Sequence, residues 1–226
     1  MKIVVLDGYL VGFGGLSWEA LAASGELVYH ELTTAEDDIA GRIGDAEVVL
    51  TNRCPLDAAT IAACPNLKQI HSLGTGYNQI DLETANARGI TVTNTPAYGS
   101  GAVAQMAVAL LFDIVRRVSV FDHYVKTRGW DKAIDPEICG IRQMELTGKT
   151  LGILGLGDIG YGVARVAMAM DMKVLAHRRN PKPELECDQL RFTDLDTLLA
   201  QSDIISIHCP LTDETRGMID RVPSPK

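Results

Sequence analysis

Three glycines in the second half of the chain, Gly155, Gly157 and Gly160, have the spacing Gly-x-Gly-x-x-Gly. An apolar run precedes them and apolar residues recur at helical spacing after them, so the pattern lies between a predicted strand and a predicted helix. There the first glycine permits a tight turn, the second lets the backbone approach a phosphate, and the third lets helix and strand pack closely. The unpaired N–H groups at the start of the helix favour an anion. The segment therefore predicts a loop for the pyrophosphate of a dinucleotide, made of Gly155, Leu156, Gly157, Asp158, Ile159 and Gly160.

The turn after the next predicted strand bears on which dinucleotide is bound. An acidic residue at this place hydrogen-bonds the 2′-hydroxyl of the adenosine ribose and repels a 2′-phosphate. This chain has Arg178 and Arg179 there instead, and guanidinium groups pair well with a phosphate dianion. The sequence thus favours NADP(H) over NAD(H). A pair of solvated arginines at the end of a strand is the alternative interpretation.

A second glycine-rich loop lies in the first half of the chain. Gly74, Thr75 and Gly76 follow the predicted strand Leu67–Ser72. Successive backbone N–H groups in such a turn can form a site for an anion. A tight turn that binds nothing is the alternative.

Strands and helices alternate along the first hundred residues, which is typical of a parallel sheet covered by helices. The predicted strands are Ile3–Leu6, Glu26–Leu32, Val48–Thr51, Leu67–Ser72 and Thr91–Thr93. The predicted helices lie near Trp18–Ala23, Ala35–Ile43, Ala58–Cys64 and Leu82–Ala87, with Asp57 and Asp81 as N-caps of the last two. These elements predict a flavodoxin-like α/β domain over residues 1–98.

One long helix is predicted from Ala102 to about Val125, where apolar residues form a broad stripe, and it leads into a second domain over residues 99–226. The predicted strands of this domain are Leu151–Leu154, Lys173–His177, Leu190–Phe192 and Asp203–Ile207. A complete dinucleotide-binding fold has six strands in two halves. The second domain is therefore expected to be an incomplete Rossmann domain that lacks its second half, and the chain to be truncated at its C-terminus.

Composition and charge exclude other classes of function. The 226 residues carry a net charge of -8, which argues against a nucleic-acid-binding or anionic-membrane surface, and no apolar run is long enough to span a membrane. The five cysteines are scattered without a Cys-x-x-Cys pair, so neither a disulfide framework nor a metal site is expected. His30, His71 and His123 have no carboxylate partner in a recognisable motif and are expected to be surface or packing residues. We expect a cytoplasmic protein.

Four segments together give the chain a specific resemblance. They are the glycine fingerprint, Leu73–Asp81, Asn94–Gln105 and Ser206–Arg216. In these segments the chain resembles the D-isomer-specific 2-hydroxyacid dehydrogenases, and within them most of all the glycerate dehydrogenase/hydroxypyruvate reductase branch. The motifs occur in the family's order and extend over nearly all of the chain.

The resemblance implies roles for particular residues and an activity. Gly74, Thr75 and Gly76 would bind the substrate carboxylate in a substrate domain, and Gly155–Gly160 the pyrophosphate. The cofactor would further be held by Arg178 and Arg179 at the adenosine end, by His208, Cys209 and Pro210 on the adenine side, and by Thr215. The implied reaction is NAD(P)-dependent reduction of a small 2-keto acid such as hydroxypyruvate or glyoxylate, by a protein that is a homodimer when full length.

The same resemblance implies no catalytic residue within this chain. Relatives use Arg, Glu and His as catalytic residues, and all three are expected beyond Lys226, so no residue here is predicted to be catalytic. The 226 residues are accordingly expected to turn over negligibly. A non-catalytic module that binds a dinucleotide and partner proteins is the alternative, and an inactive fragment of a reductase is the third possibility.

Overall fold

The structure is a computed structural model and describes residues 1–12, 15–130 and 136–219. The chain divides into two compact units, the first over Met1–Tyr98 and the second beginning at Gly99. Each unit is built on a parallel sheet. This confirms the predicted α/β class.

The first unit contains a five-stranded sheet in the order β2-β1-β3-β4-β5. Its strands are β1 (Lys2–Val5), β2 (Glu26–Tyr29), β3 (Val48–Thr51), β4 (Gln69–Ser72) and β5 (Thr91–Thr93). Its helices are α1 (Tyr9–Gly12), α2 (Glu19–Ala22), α3 (Ile39–Ile43), α4 (Ala58–Ala63) and α5 (Leu82–Ala87). This strand order is the flavodoxin-like doubly wound arrangement, in which ligands bind at the carboxyl ends of the strands.

Three helices of the first unit begin at an aspartate that caps them. The side chains of Asp38, Asp57 and Asp81 each accept a hydrogen bond from a backbone N–H in the first turn of α3, α4 and α5. Such a cap satisfies one of the N–H groups that a helix leaves without a partner. The predicted caps at Asp57 and Asp81 are confirmed.

A buried carboxylate fixes the carboxyl end of β1 to the turn after β3. The Asp7 side chain is fully buried and accepts hydrogen bonds from the backbone N–H groups of Asn52, Arg53 and Cys54, at 2.7, 2.6 and 3.0 Å. Burial, with the nearby Asp7 charge, raises the pKa of the Cys54 thiol to about 12. That thiol therefore stays protonated, and Asp7 is the acceptor around which the turn forms.

The second unit contains a four-stranded sheet in the order β8-β7-β6-β9. Its strands are β6 (Thr150–Leu154), β7 (Lys173–His177), β8 (Leu190–Phe192) and β9 (Ile204–Ile207). Its helices are α6 (Ser100–Arg116), α7 (Val118–Arg128), α8 (Pro136–Cys139), α9 (Asp158–Ala169) and α10 (Leu195–Gln201). In chain order the strands lie 3-2-1-4, which is the Rossmann arrangement around the first strand. The predicted Rossmann-type fold is confirmed.

The predicted single helix from Ala102 to about Val125 is wrong. The chain forms two helices, and Arg117 between them has left-handed backbone angles, φ 55° and ψ 38°. The Asp113 carboxylate accepts hydrogen bonds from the backbone N–H and the hydroxyl of Ser119, at 2.7 and 3.0 Å, and so holds the start of α7. The apolar stripe continues through the break, which is why periodicity did not reveal it.

The helix predicted over Ala35–Ile43 is too long at its start. The helix begins only at Ile39, because the Asp37 carboxylate accepts a hydrogen bond from the Thr34 N–H at 2.8 Å and holds the preceding residues in a turn. Polar residues that bond to nearby backbone compete with a helix in this way.

Replacing Asp7 by Ala should destabilise the first unit, because three backbone N–H groups, of which that of Cys54 is buried, lose their acceptor. We expect the free energy of unfolding to fall by about 3 kcal/mol. As a control, Asp81→Ala removes only an N-cap and should cost about 1 kcal/mol. The measurement is urea denaturation followed by Trp18 fluorescence in a Trp130→Phe background, since these are the two tryptophans of the chain. Equal losses in the two variants would contradict the role given to Asp7.

Candidate functional site

The glycine loop of the second unit is shaped by close backbone contacts. Gly155 has φ +94°, and a Cβ built there would lie 2.6 Å from the Cys209 N atom. A Cβ at Gly160 would lie 2.4 Å from the Gly155 carbonyl oxygen. A Cβ at Gly157, by contrast, would meet no atom within 4 Å. Two of the glycines are thus required by the fold, and the third leaves an open space at the start of α9.

That helix start has no side-chain cap. The N-cap residue is Gly157, whereas α3, α4, α5 and α10 all begin at a capping aspartate. Within the described residues, no acceptor is hydrogen-bonded to the backbone N–H groups of Gly157, Asp158 or Ile159. These N–H groups and the helix dipole can bind an anion. The geometry fits the pyrophosphate predicted for this loop.

The two arginines after β7 lie in different environments. The Gly155 N–H donates to the His177 carbonyl at 2.8 Å, which brings the end of β7 beside the glycine loop. Arg178 follows directly, and its guanidinium donates to the Leu156 carbonyl at 3.0 Å. Arg179 forms an ion pair with Glu214, in which both side chains are more than two-thirds exposed (72% and 71%). The structure therefore brings Arg178 to the loop and couples Arg179 to the segment that follows β9.

The segment after β9 lies against the glycine loop. The His208 N–H donates to the Leu154 carbonyl at 2.7 Å, and the His208 imidazole lies 2.8 Å from the Ser206 hydroxyl. Burial lowers the pKa of the His208 imidazole. Cys209 follows directly, and its backbone lies against Gly155. That this segment lines the adenine side of a cofactor stays a prediction.

Thr215 closes the loop that begins at Pro210. Its hydroxyl donates to the Pro210 carbonyl at 2.7 Å and lies 2.8 Å from the Thr212 N–H, which donates to it. A hollow of about 320 Å³ lies beside this loop. Its lining includes Ile207, Cys209, Pro210, Leu211 and Thr215. The Thr215 hydroxyl is therefore used within the loop, and its predicted contact with a cofactor stays a prediction.

The loop of Gly74, Thr75 and Gly76, here called the carboxylate loop, has all three of its carbonyl groups bonded to the first unit. The Gly74 carbonyl accepts from the Thr95 N–H at 3.1 Å, the Thr75 carbonyl from the Asn94 amide at 2.8 Å, and the Gly76 carbonyl from the Ser72 hydroxyl at 2.6 Å. None of the three residues has a positive φ.

Its amide groups are the part left to bind a ligand. Gly74 is buried, and its N–H donates a long 3.4 Å hydrogen bond to the Ser72 hydroxyl. Thr75 and Gly76 are exposed, and over the described parts of the chain their N–H groups have no acceptor. Two adjacent exposed donors at the carboxyl end of a parallel strand can bind a carboxylate.

Sequence reasoning missed the polar residues that support the carboxylate loop. The Gln79 amide donates to the Asn52 carbonyl at 2.9 Å and to the Ser72 hydroxyl at 3.3 Å, which joins the turns after β3 and β4. His71, expected only to be a surface or packing residue, has both ring nitrogens near threonine hydroxyls, at 2.7 Å from Thr93 and 3.2 Å from Thr95. Asn52, His71 and Thr93 lie at or next to the ends of strands, which was the available signal.

Two classes of site are not found in the described residues. No helix there is both long and apolar enough to cross a membrane. No group of three or more His, Cys, Asp or Glu side chains there is arranged to hold a metal ion.

Comparison with known proteins gives one consistent family. The sequence model of the D-isomer specific 2-hydroxyacid dehydrogenase NAD binding domain matches residues 108–222. A hydroxypyruvate reductase of Blautia hydrogenotrophica is 41% identical over 223 residues, which are 98% of this chain and 69% of that protein. A glyoxylate reductase of Thermofilum pendens is 41% identical over 167 residues, 73% of this chain and 49% of the relative.

A solved structure agrees with these sequence matches. The D-lactate dehydrogenase of Aquifex aeolicus, crystallised with NAD and lactic acid, superimposes with a TM-score of 0.82 at 29% identity, covering 97% of this chain and 63% of that one. The chain thus spans between 49% and 69% of the length of these three proteins.

Acidification should destabilise both units through two partly buried histidines, His71 and His208. Burial lowers the pKa of His71 and of His208 below the ordinary value of about 6.5. As the pH falls, the unfolded chain therefore protonates these histidines before the folded chain does. The free energy of unfolding then falls as the pH drops below about 6.5, and it stops falling once the pH is below the folded-state pKa values. Urea denaturation at pH 7.5 and pH 5 should show that His71→Gln and His208→Gln each lose less free energy of unfolding between these pH values than the wild-type chain does. A loss of wild-type size in both variants would contradict the assignment.

Proposed function

Since this chain belongs to the D-isomer specific 2-hydroxyacid dehydrogenase family, we propose that it forms the cofactor and carboxylate sites of an NADP(H)-dependent reductase of small 2-keto acids. Residues 1–98 would be the substrate domain and residues 99–226 the NAD(P)-binding domain. The observation that carries the proposal is the uncapped start of α9 with open space at Gly157. It is the helix start of the glycine fingerprint, where a dinucleotide pyrophosphate would lie.

The charges around the glycine loop support an anionic ligand only in part. Asp158 places a negative charge in the first turn of α9, which opposes a pyrophosphate. The Arg178 guanidinium, bonded to the Leu156 carbonyl, supplies a positive charge at the same loop. The backbone N–H groups would hold the pyrophosphate, and Arg178 would lie beside it at the adenosine end of the cofactor. A bound nicotinamide cofactor would supply the hydride that reduces the substrate carbonyl.

The preference for NADP(H) over NAD(H) rests on the turn after β7. A carboxylate there would exclude a 2′-phosphate, and the residues His177, Arg178, Arg179 and Asn180 contain none. The ion pair of Arg179 with Glu214 is exposed, and exposed ion pairs are weak because water screens them. Arg179 can therefore exchange Glu214 for a phosphate at low cost.

The substrate would bind through the carboxylate loop. The exposed N–H groups of Thr75 and Gly76 can donate to the two oxygens of one carboxylate. The relatives named hydroxypyruvate reductase and glyoxylate reductase favour a small 2-keto acid. We further propose a cytoplasmic location. We expect a homodimer, because α6 exposes the apolar side chains of Val103, Met106, Leu110 and Ile114.

The chemical step needs a cation that polarises the carbonyl and a group that donates a proton. His208 is bonded to Ser206 on the cofactor side, and His71 lies between two threonine hydroxyls, so neither is assigned that role. We therefore assign binding, without a catalytic residue, to these 226 residues. The same observations favour the second candidate, a non-catalytic module that binds a dinucleotide.

Filling the space at Gly157 should abolish cofactor binding. We expect NADPH to raise the melting temperature of the wild-type chain, because a ligand that binds only the folded state stabilises it. Gly157→Val should lose this increase, since the side chain would occupy the position of the phosphates. Gly101→Val, at another glycine with no atom within 4 Å of a built Cβ, is the control and should keep it. An unchanged increase in Gly157→Val would refute the proposed pyrophosphate site.

Two charge changes should move the cofactor preference in opposite directions. Arg178→Asp introduces a carboxylate beside the ribose position and should lower the ratio of NADPH to NADH affinity by at least about tenfold. Glu214→Gln frees Arg179 from its ion pair and should raise the same ratio. Isothermal titration calorimetry with NADPH and with NADH measures this ratio of affinities. A ratio that neither variant changes would show that these arginines do not read the 2′-phosphate.

A further inference from the structure

We propose that His71 is a positioning residue for the carboxylate loop, because its imidazole joins the end of β5 to the segment on which that loop is held. The inference rests on the proposed function, in which the loop binds the carboxylate of the substrate. His71 would touch neither substrate nor cofactor. It would act through Thr95.

The imidazole spans the point where the sheet ends. His71 on β4 pairs in register with Thr93, the last residue of β5. One ring nitrogen, Nδ1, lies 2.7 Å from the Thr93 hydroxyl, and the other, Nε2, lies 3.2 Å from the Thr95 hydroxyl. One side chain thus connects the last residue of the ladder with a residue beyond it.

Thr95 in turn holds two residues of the carboxylate loop. Its N–H donates to the Gly74 carbonyl and its carbonyl accepts from the Thr75 hydroxyl, both at 3.1 Å. The neighbouring Asn94 amide donates to the Thr75 carbonyl at 2.8 Å. The segment Asn94–Thr95 is therefore the support of the loop, and His71 bonds that support to the sheet.

The chemistry of the imidazole is suited to this task. Burial lowers the pKa of the His71 ring, which keeps it neutral near pH 7. A neutral ring donates from one nitrogen and accepts at the other, and a threonine hydroxyl can do either, so both bonds form with either tautomer. A network with every polar atom paired is rigid. Rigid N–H groups at Thr75 and Gly76 bind a carboxylate at a smaller entropic cost than mobile ones.

The test compares His71→Phe with Gln69→Leu in the 226-residue chain. Gln69 lies two residues earlier on the same face of β4 and is partly buried like His71, so its replacement is the matched control. The first readout is hydrogen exchange of the Thr95 N–H without ligand. The second is the affinity for hydroxypyruvate, taken from the amide NMR shifts of Thr75 and Gly76. Circular dichroism verifies that each variant is folded.

We expect His71→Phe to speed exchange of the Thr95 N–H and to weaken hydroxypyruvate binding, each by about tenfold, and Gln69→Leu to change neither. Thr95→Val removes one of the two hydroxyl contacts while keeping the backbone, and it should reproduce the loss even if His71→Phe does not fold. If His71→Phe keeps the wild-type exchange rate of the Thr95 N–H and the wild-type affinity, the role of His71 is overturned. Should His71→Phe not fold, the same result in Thr95→Val overturns it. Absence of any hydroxypyruvate shift at Thr75 and Gly76 in the wild-type chain would instead overturn the carboxylate site of the proposed function.

Discussion

The contact of Gly155 with the start of the segment after β9 is the constraint on which the glycine loop of the second unit depends. The backbone of Cys209 passes so close that no side chain fits at Gly155, and the positive φ there turns the chain sharply into α9. The turn directs the N–H groups of the helix start into open space at Gly157. A larger residue at Gly155 would move the segment after β9 and the helix start together.

The two units use the carboxyl ends of parallel strands in the same way, with different means of holding the loop. In the second unit the loop is held by backbone contact at glycine. In the first unit side chains do much of this work: Asp7 binds the turn after β3, while the Ser72 hydroxyl and the Asn94 amide donate to carbonyls of the carboxylate loop. Both arrangements engage other backbone groups and leave N–H groups for an anion. A glycine pattern is visible in a sequence, whereas a network of polar side chains is not.

That difference explains what could be predicted from the sequence. The order and type of the main strands, the glycine loop and the caps at Asp57 and Asp81 depend on residues close together in the chain, and they were predicted. The break at Arg117 was missed, because the apolar stripe continues through it. The hydrogen bonds of Asp7 and His71 were missed, because their partners lie far along the chain. Local pattern carries no information about such partners until the fold brings them together.

The chain carries a net charge of -8, but the electrostatic potential at the glycine loop is set by the charges next to it. Screening by salt confines the effect of distant exposed charges to roughly 10 Å, so the residues next to the loop decide what binds. Asp158 and Arg178 bring charges of opposite sign to the glycine loop, and Arg179 is paired with Glu214. Arg178 is held at the loop by a backbone carbonyl and not by a carboxylate, whereas Arg179 is paired with the carboxylate of Glu214. Under the proposed function, a 2′-phosphate dianion would displace Glu214 and a ribose hydroxyl would not, which is the physical basis of the proposed preference for NADP(H).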